Sequence, residues 1–125
     1  MMKYKGQTIP EILKGIPHAM NQQAESYLNS DKVRSVKYHS DECEPNEFEA
    51  FIVENDKTVF MPVVGMDEQS RVQDIHCQCS DDDALCMHKI SLLMAAQFMI
   101  EKNSGDYHSA KKAMVLQSIE AAMLQ

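Results

Sequence analysis

The chain has 125 residues, of which 44% are apolar and 25% are charged. This composition predicts one compact domain and excludes a disordered chain. Every apolar run is far shorter than the roughly 18–20 residues that span a bilayer, so an integral membrane class is excluded as well.

The charge is concentrated in the middle of the sequence. The whole chain carries a net charge of −7, and residues 31–88 hold 14 Asp or Glu against 5 Lys or Arg, a net charge of −9. Phosphate backbones repel such a region, so the charge favours protein partners over direct nucleic-acid binding. The first residues are polar and resemble no secretory signal, which predicts a cytoplasmic protein.

Two helices are predicted near the start of the chain. Thr8 and Glu11 have the spacing of a capping box, and Gly15 ends the short helix that they open. A second helix is predicted over residues 17–28. Its apolar side carries Ala24, Tyr27 and Leu28.

Short β-rich segments replace the helical pattern after residue 30. Four segments of roughly alternating apolar residues predict strands over residues 32–39, 47–54, 58–65 and 71–76. Pro62 falls inside the third segment and predicts an edge strand or a bulged one. Polar turns separate the segments, so we expect a small antiparallel meander of three to four strands.

Helical spacing returns in the last third of the chain. Apolar residues recur every three or four positions over residues 92–100, and Asn103 and Gly105 provide a stop. A last helix is predicted over residues 109–124. We therefore expect an α+β fold in a single domain, residues 1–125, with an N-terminal helical segment (1–30), a core (31–103) and a C-terminal helix (106–125).

Four residues have the types and the spacing of metal ligands: Cys77 and Cys79, then Cys86 and His88. Side chains two apart on an extended segment point the same way, so Cys77 and Cys79 can share an ion. Side chains two apart in a helix diverge by about 200°, which places Cys86 at or before a helix start and His88 in its first turn. Three thiolates and one imidazole favour zinc, so we expect one structural Zn²⁺ that pins this helix to the sheet.

Other interpretations of these residues stay open. The cysteines could be reduced and buried without a metal ion. Cys43 lies among acidic residues and is expected to be an unpaired loop thiol, whereas His76 could replace a ligand or support one. Asp81 to Asp83 are expected to cap the helix in solvent, with recognition of a basic partner as the alternative.

The spacing C-x-C-x₆-C-x-H, preceded by short strands and followed by a helix, resembles the SWIM zinc finger. The resemblance covers roughly residues 25–98 and includes Tyr27, just before the first strand. SWIM domains occur in Swi/Snf-type helicases, Mutator-type transposases and various regulators. The resemblance implies zinc binding through Cys77, Cys79, Cys86 and His88, and a role in binding DNA or proteins.

The predicted function is that of a structural zinc-binding interaction module and not of an enzyme, because four protein ligands leave the metal no open position. We expect a protein partner, one with a basic surface, and neither a membrane nor a small-molecule substrate. The alternatives are a zinc finger that binds DNA or RNA directly, or a fragment of a larger Swi/Snf-type helicase. The module could also associate with nucleic acid indirectly, through its protein partner.

Overall fold

The computed structural model describes residues 4–40, 45–79, 84–103 and 105–112. These residues form an α+β fold with an antiparallel sheet packed against helices, as the sequence predicts. The sheet has five strands and not the three to four predicted. Within the described residues, no helix combines the length and the apolar character needed to cross a membrane.

The two N-terminal helices are confirmed. Helix α1 spans Ile9–Lys14, and its capping box forms as predicted, with the Thr8 side chain accepting from the Glu11 N–H and the Glu11 side chain accepting from the Thr8 N–H. Helix α2 spans His18–Asn29 and buries Ala24 and Leu28. Both helices contact the long helix that forms the centre of the domain.

The sheet follows the chain as a meander. Its strands are β1 (Val33–His39), β2 (Asn46–Asn55), β3 (Thr58–Phe60), β4 (Val63–Met66) and β5 (Val72–His76). The order is β1-β2-β4-β5, and β3 pairs with β2 beside β4. The N-terminal segment pairs with the start of β5: the Gly6 N–H donates to the Val72 carbonyl, and the Val72 N–H donates to the Gln7 carbonyl.

The third predicted strand is divided in two. Pro62 lies between β3 and β4, where it interrupts the ladder because proline has no N–H. Its carbonyl still accepts a hydrogen bond from the Ala50 N–H at 3.0 Å, so both pieces stay in register along β2. Of the two pieces, β3 is an edge strand, as predicted, whereas β4 lies inside the sheet between β2 and β5.

The core is organised around helix α3, which spans Met87–Glu101. All residues from 88 to 96 are buried, because the sheet covers one side of the helix while α1 and α2 cover the other. A helix enclosed in this way carries apolar residues all round and has no single apolar face, although His88, Lys89 and Ser91 are buried among them. The periodicity of residues 92–100 correctly predicted the helix but did not reveal that it is central.

Residues 107–112 are helical and bury Tyr107 and Ala110. The helix predicted over residues 109–124 thus begins two residues earlier, and most of that range lies outside the described residues. Cys43 and Asp81 to Asp83 lie outside them as well, so the predictions for these residues stay predictions.

Candidate metal centre

The four predicted ligands converge at one end of the sheet. Cys77 directly follows β5, Cys79 lies in the turn after it, Cys86 is the N-cap of α3 and His88 is in the first turn of that helix. One potential ligand atom from each residue lies within 4.8 Å of all the others. The structure therefore forms a Cys₃His cluster from residues that the sequence predicted to act together.

The distances between the potential ligand atoms are near those around a tetrahedral metal ion, with one as short as 3.1 Å and all within 4.8 Å. The Nδ1 atom of His88 lies 3.7 Å from the sulfur of Cys77, 3.1 Å from that of Cys79 and 3.9 Å from that of Cys86. The sulfurs of Cys77 and Cys79 are 3.5 Å apart. Bonds of about 2.3 Å to sulfur and 2.0 Å to nitrogen place tetrahedral ligand atoms roughly 3.5–3.8 Å apart, so this donor set could hold an ion such as zinc.

The start of α3 is suited to a thiolate. The Cys86 sulfur accepts a hydrogen bond from the Lys89 N–H at 3.4 Å, and Cys86 itself has an extended backbone with φ −96°. The helix turns its positive end toward this sulfur, which favours the deprotonated form. This position agrees with the prediction that Cys86 cannot share a regular helix with His88 and still bind the same ion.

Cys77 is the buried member of the cluster, with 1% of its surface exposed. Burial raises the pKa of its thiol to about 12, and the nearby sulfurs of Cys79 and Cys86 add to this shift. A thiol in this setting keeps its proton unless positive charge arrives to stabilise the thiolate. A divalent metal ion held by this cluster would supply that charge, and its binding would release the proton.

The ring of His88 is held between two aromatic side chains. Phe60 stacks on it, with ring centroids 4.3 Å apart and planes inclined by 20°. Tyr27 meets it edge-on, with centroids 5.9 Å apart and planes inclined by 77°. These contacts hold the plane of the imidazole, and the Nδ1 atom of the ring points toward the sulfurs.

Gln78 lies between Cys77 and Cys79 and connects the turn after β5 to the rest of the sheet. Its side-chain oxygen accepts a hydrogen bond from the Met61 N–H at 3.2 Å, and its side-chain nitrogen lies 3.5 Å from the Met61 carbonyl. The amide thus pairs with Met61 as a neighbouring strand would. Sequence reasoning missed this role, because a single polar residue between cysteines carries no signal for it.

A charged network lies on the far side of the His88 ring. Glu54 on β2 approaches Nε2 of His88 with Oε1 at 3.5 Å, accepts a hydrogen bond from the Tyr27 hydroxyl at 2.6 Å and forms an ion pair with Lys32 at 3.3 Å. Burial acts to raise the pKa of Glu54, but the hydrogen bonds from Tyr27 and Lys32 outweigh it and lower the pKa. The pKa of His88 is raised by its contact with Cys86, against the effect of burial, and the charges of Cys86 and Glu54 add to the increase.

No family model, curated protein or solved structure matches the chain. The resemblance to SWIM domains therefore rests on the ligand spacing and its position between strands and a helix. The evidence for the metal site does not depend on this resemblance, because it consists of the positions of the four side chains and the distances between them.

Other predicted candidates lie outside the cluster. His76 is exposed at the end of β5 and is not one of the four residues that converge. Lys32 and Lys111 make separate contacts, since Lys32 pairs with Glu54 and Lys111 donates to the Leu28 carbonyl. The side chains of Arg34 and Lys37 are exposed on β1.

Proposed function

We propose that this protein is a structural zinc-binding module of SWIM type that mediates contacts with a protein partner and is not an enzyme. The observation that carries the proposal is the Cys₃His cluster, whose atoms lie within 4.8 Å of one another. The cluster links the end of β5 to the first turn of α3, the central helix of the fold. A zinc ion there would hold the helix against the sheet, and four protein ligands would leave no open coordination position.

Metal analysis and thermal unfolding test the zinc proposal together. Purified protein is expected to contain one zinc ion per chain, and a chelator is expected to lower its melting temperature by roughly 10 °C or more, because metal-binding energy contributes to folding. Cys86→Ser should lose both properties, whereas Cys43→Ser, the matched control, should keep both. A metal-free protein whose unfolding ignores the chelator would overturn the proposal.

The outer face of the sheet supports a protein partner. Phe48, Ala50 and Ile52 face the core, so the alternating residues Phe51 and Val53 point to the opposite face. Val59 pairs with Val53 on that face. Phe51, Val59 and Met61 remain 41%, 45% and 43% exposed, respectively. Apolar side chains grouped on an open sheet face are typical of contacts with other proteins.

Acidic residues lie on the same outer face of the sheet, beside the apolar group. Glu47 on β2 is paired with Gly65, which is itself paired with Asp74 on β5. Glu49 lies on the same face of β2 and opposite Lys37 of β1. This arrangement favours a partner with apolar residues flanked by basic ones and disfavours a phosphate backbone.

Titration with defined probes separates the two binding classes. At 150 mM salt we expect binding to a peptide of alternating leucine and lysine, and none to its leucine–glutamate counterpart. Duplex DNA and single-stranded RNA should bind more weakly than the ~10⁻⁴–10⁻⁶ M of ordinary non-specific binders. Phe51→Ser should weaken peptide binding without loss of zinc. Tight binding of DNA or RNA instead would favour a nucleic-acid-binding zinc finger.

A further inference from the structure

The two nitrogens of the His88 ring lie in different surroundings. Nδ1 faces the three sulfurs at 3.1–3.9 Å. Nε2 is buried and has no hydrogen-bond partner within the described residues, and the Glu54 carboxylate lies 3.5 Å from it, at the outer limit of a hydrogen bond. A neutral imidazole protonated at Nε2 would leave the Nδ1 lone pair for a metal ion.

Glu54 is itself held in place from two directions. The Tyr27 hydroxyl, from helix α2, donates to Oε1 at 2.6 Å. The Lys32 ammonium, from the segment before β1, lies 3.3 Å from Oε2 and 4.7 Å from the centre of the Tyr27 ring. Because both oxygens have partners, the carboxylate has a fixed position relative to Nε2.

We propose that Glu54, anchored by Tyr27 and Lys32, is the positioning residue that holds the proton of His88 on Nε2 and so makes Nδ1 the metal ligand. The inference rests on the proposed zinc site and adds to it a specific ligand atom and a supporting carboxylate. A carboxylate behind a ligating imidazole fixes its tautomer, limits its rotation and makes it a stronger donor.

The substitution Glu54→Gln tests this role, because it removes the charge and retains the volume. Competition against a chromophoric chelator should give a zinc affinity about 10–100-fold weaker than that of the wild type. Tyr27→Phe, which keeps the aromatic ring beside His88 and removes only the hydroxyl, should weaken binding in the same direction. Glu49→Gln, on the same strand but on the outer face, is the matched control and should bind zinc like the wild type.

Long-range ¹H–¹⁵N correlation spectra of the zinc-loaded protein show which nitrogen of His88 carries the proton. A general loss of stability would not change this result. The wild type should show His88 protonated at Nε2 and metal-bound through Nδ1, and Glu54→Gln should shift the Nε2 resonance where Glu49→Gln does not. Zinc bound through Nε2, or unchanged affinity in both Glu54→Gln and Tyr27→Phe, would overturn this inference and leave the zinc module intact. A wild-type protein that binds no zinc would overturn the proposed function and the inference with it.

Discussion

The Nζ atom of Lys89 donates a hydrogen bond to the carbonyl oxygen of Ala84 at 2.7 Å, although the Lys89 residue is fully buried. An ammonium group rarely leaves water without strong acceptors. Here it reaches back from the first turn of α3 to the segment that leads into Cys86. This contact connects the central helix to the stretch of chain that delivers the third sulfur.

Replacement of Lys89 by methionine should weaken metal binding more than it weakens the fold. Methionine fills the space of the lysine stem, but it cannot bond to the Ala84 carbonyl, so the segment before Cys86 loses a charge-assisted hydrogen bond. Zinc affinity, measured by chelator competition, should fall about threefold to tenfold, while the metal-free free energy of unfolding changes by less than about 1 kcal/mol. Lys112→Met changes an exposed lysine and is the control. Equal affinities of the two variants would contradict a role for Lys89 in placing Cys86.

Gln78 should stabilise the turn between the first two cysteines through its pairing with Met61. Gln78→Ala removes these contacts, so the free energy of unfolding of the zinc-loaded protein should fall by about 1 kcal/mol in urea denaturation. Gln22→Ala, on the exposed side of α2, should have no comparable cost. If Gln78→Ala unfolds at the same urea concentration as the wild type, the pairing contributes nothing to stability.

Local rules of backbone geometry predicted much of the site. The divergence of side chains two apart in a helix placed Cys86 at or before a helix start, and the structure makes it the N-cap of α3. The capping box placed the start of α1 at Thr8. The strand limits agree to within a few residues, because alternation between a buried and an open face is visible in the sequence. Only the division at Pro62 changed the strand pattern.

The support around the ligands could not be predicted, because it depends on contacts between distant parts of the chain. Glu54 lies 34 positions before His88 and looks like any other acidic residue at the end of a strand. The burial of Lys89 is equally hidden, since a lysine in a helix is normally expected in solvent. Periodicity also cannot show that α3 is covered on both sides, because an enclosed helix has no polar face to contrast with an apolar one.

Tyr107 should make stability depend on pH in the alkaline range. Its ring is 1% exposed, and its hydroxyl has no hydrogen-bond partner among the residues that the structure describes. Burial raises the pKa of Tyr107 to about 12. In the unfolded chain the phenol loses its proton near pH 10, so between about pH 10 and pH 12 the folded state holds a proton that the unfolded state has released. Stability therefore falls as the pH rises through this window, by at most about 1.4 kcal/mol per pH unit for this residue.

Tyr107→Phe tests both consequences of the buried hydroxyl. At neutral pH the variant should be as stable as the wild type or more stable, by up to about 1–2 kcal/mol, because an unbonded polar group no longer has to be buried. Between pH 10 and 11.5 its free energy of unfolding should fall less steeply than that of the wild type. Part of the slope should remain, since burial and the contact with Glu54 also raise the pKa of Tyr27 to about 12. Urea unfolding at half-unit pH intervals measures both slopes, and parallel curves for the two proteins would show that Tyr107 titrates alike in the folded and unfolded states.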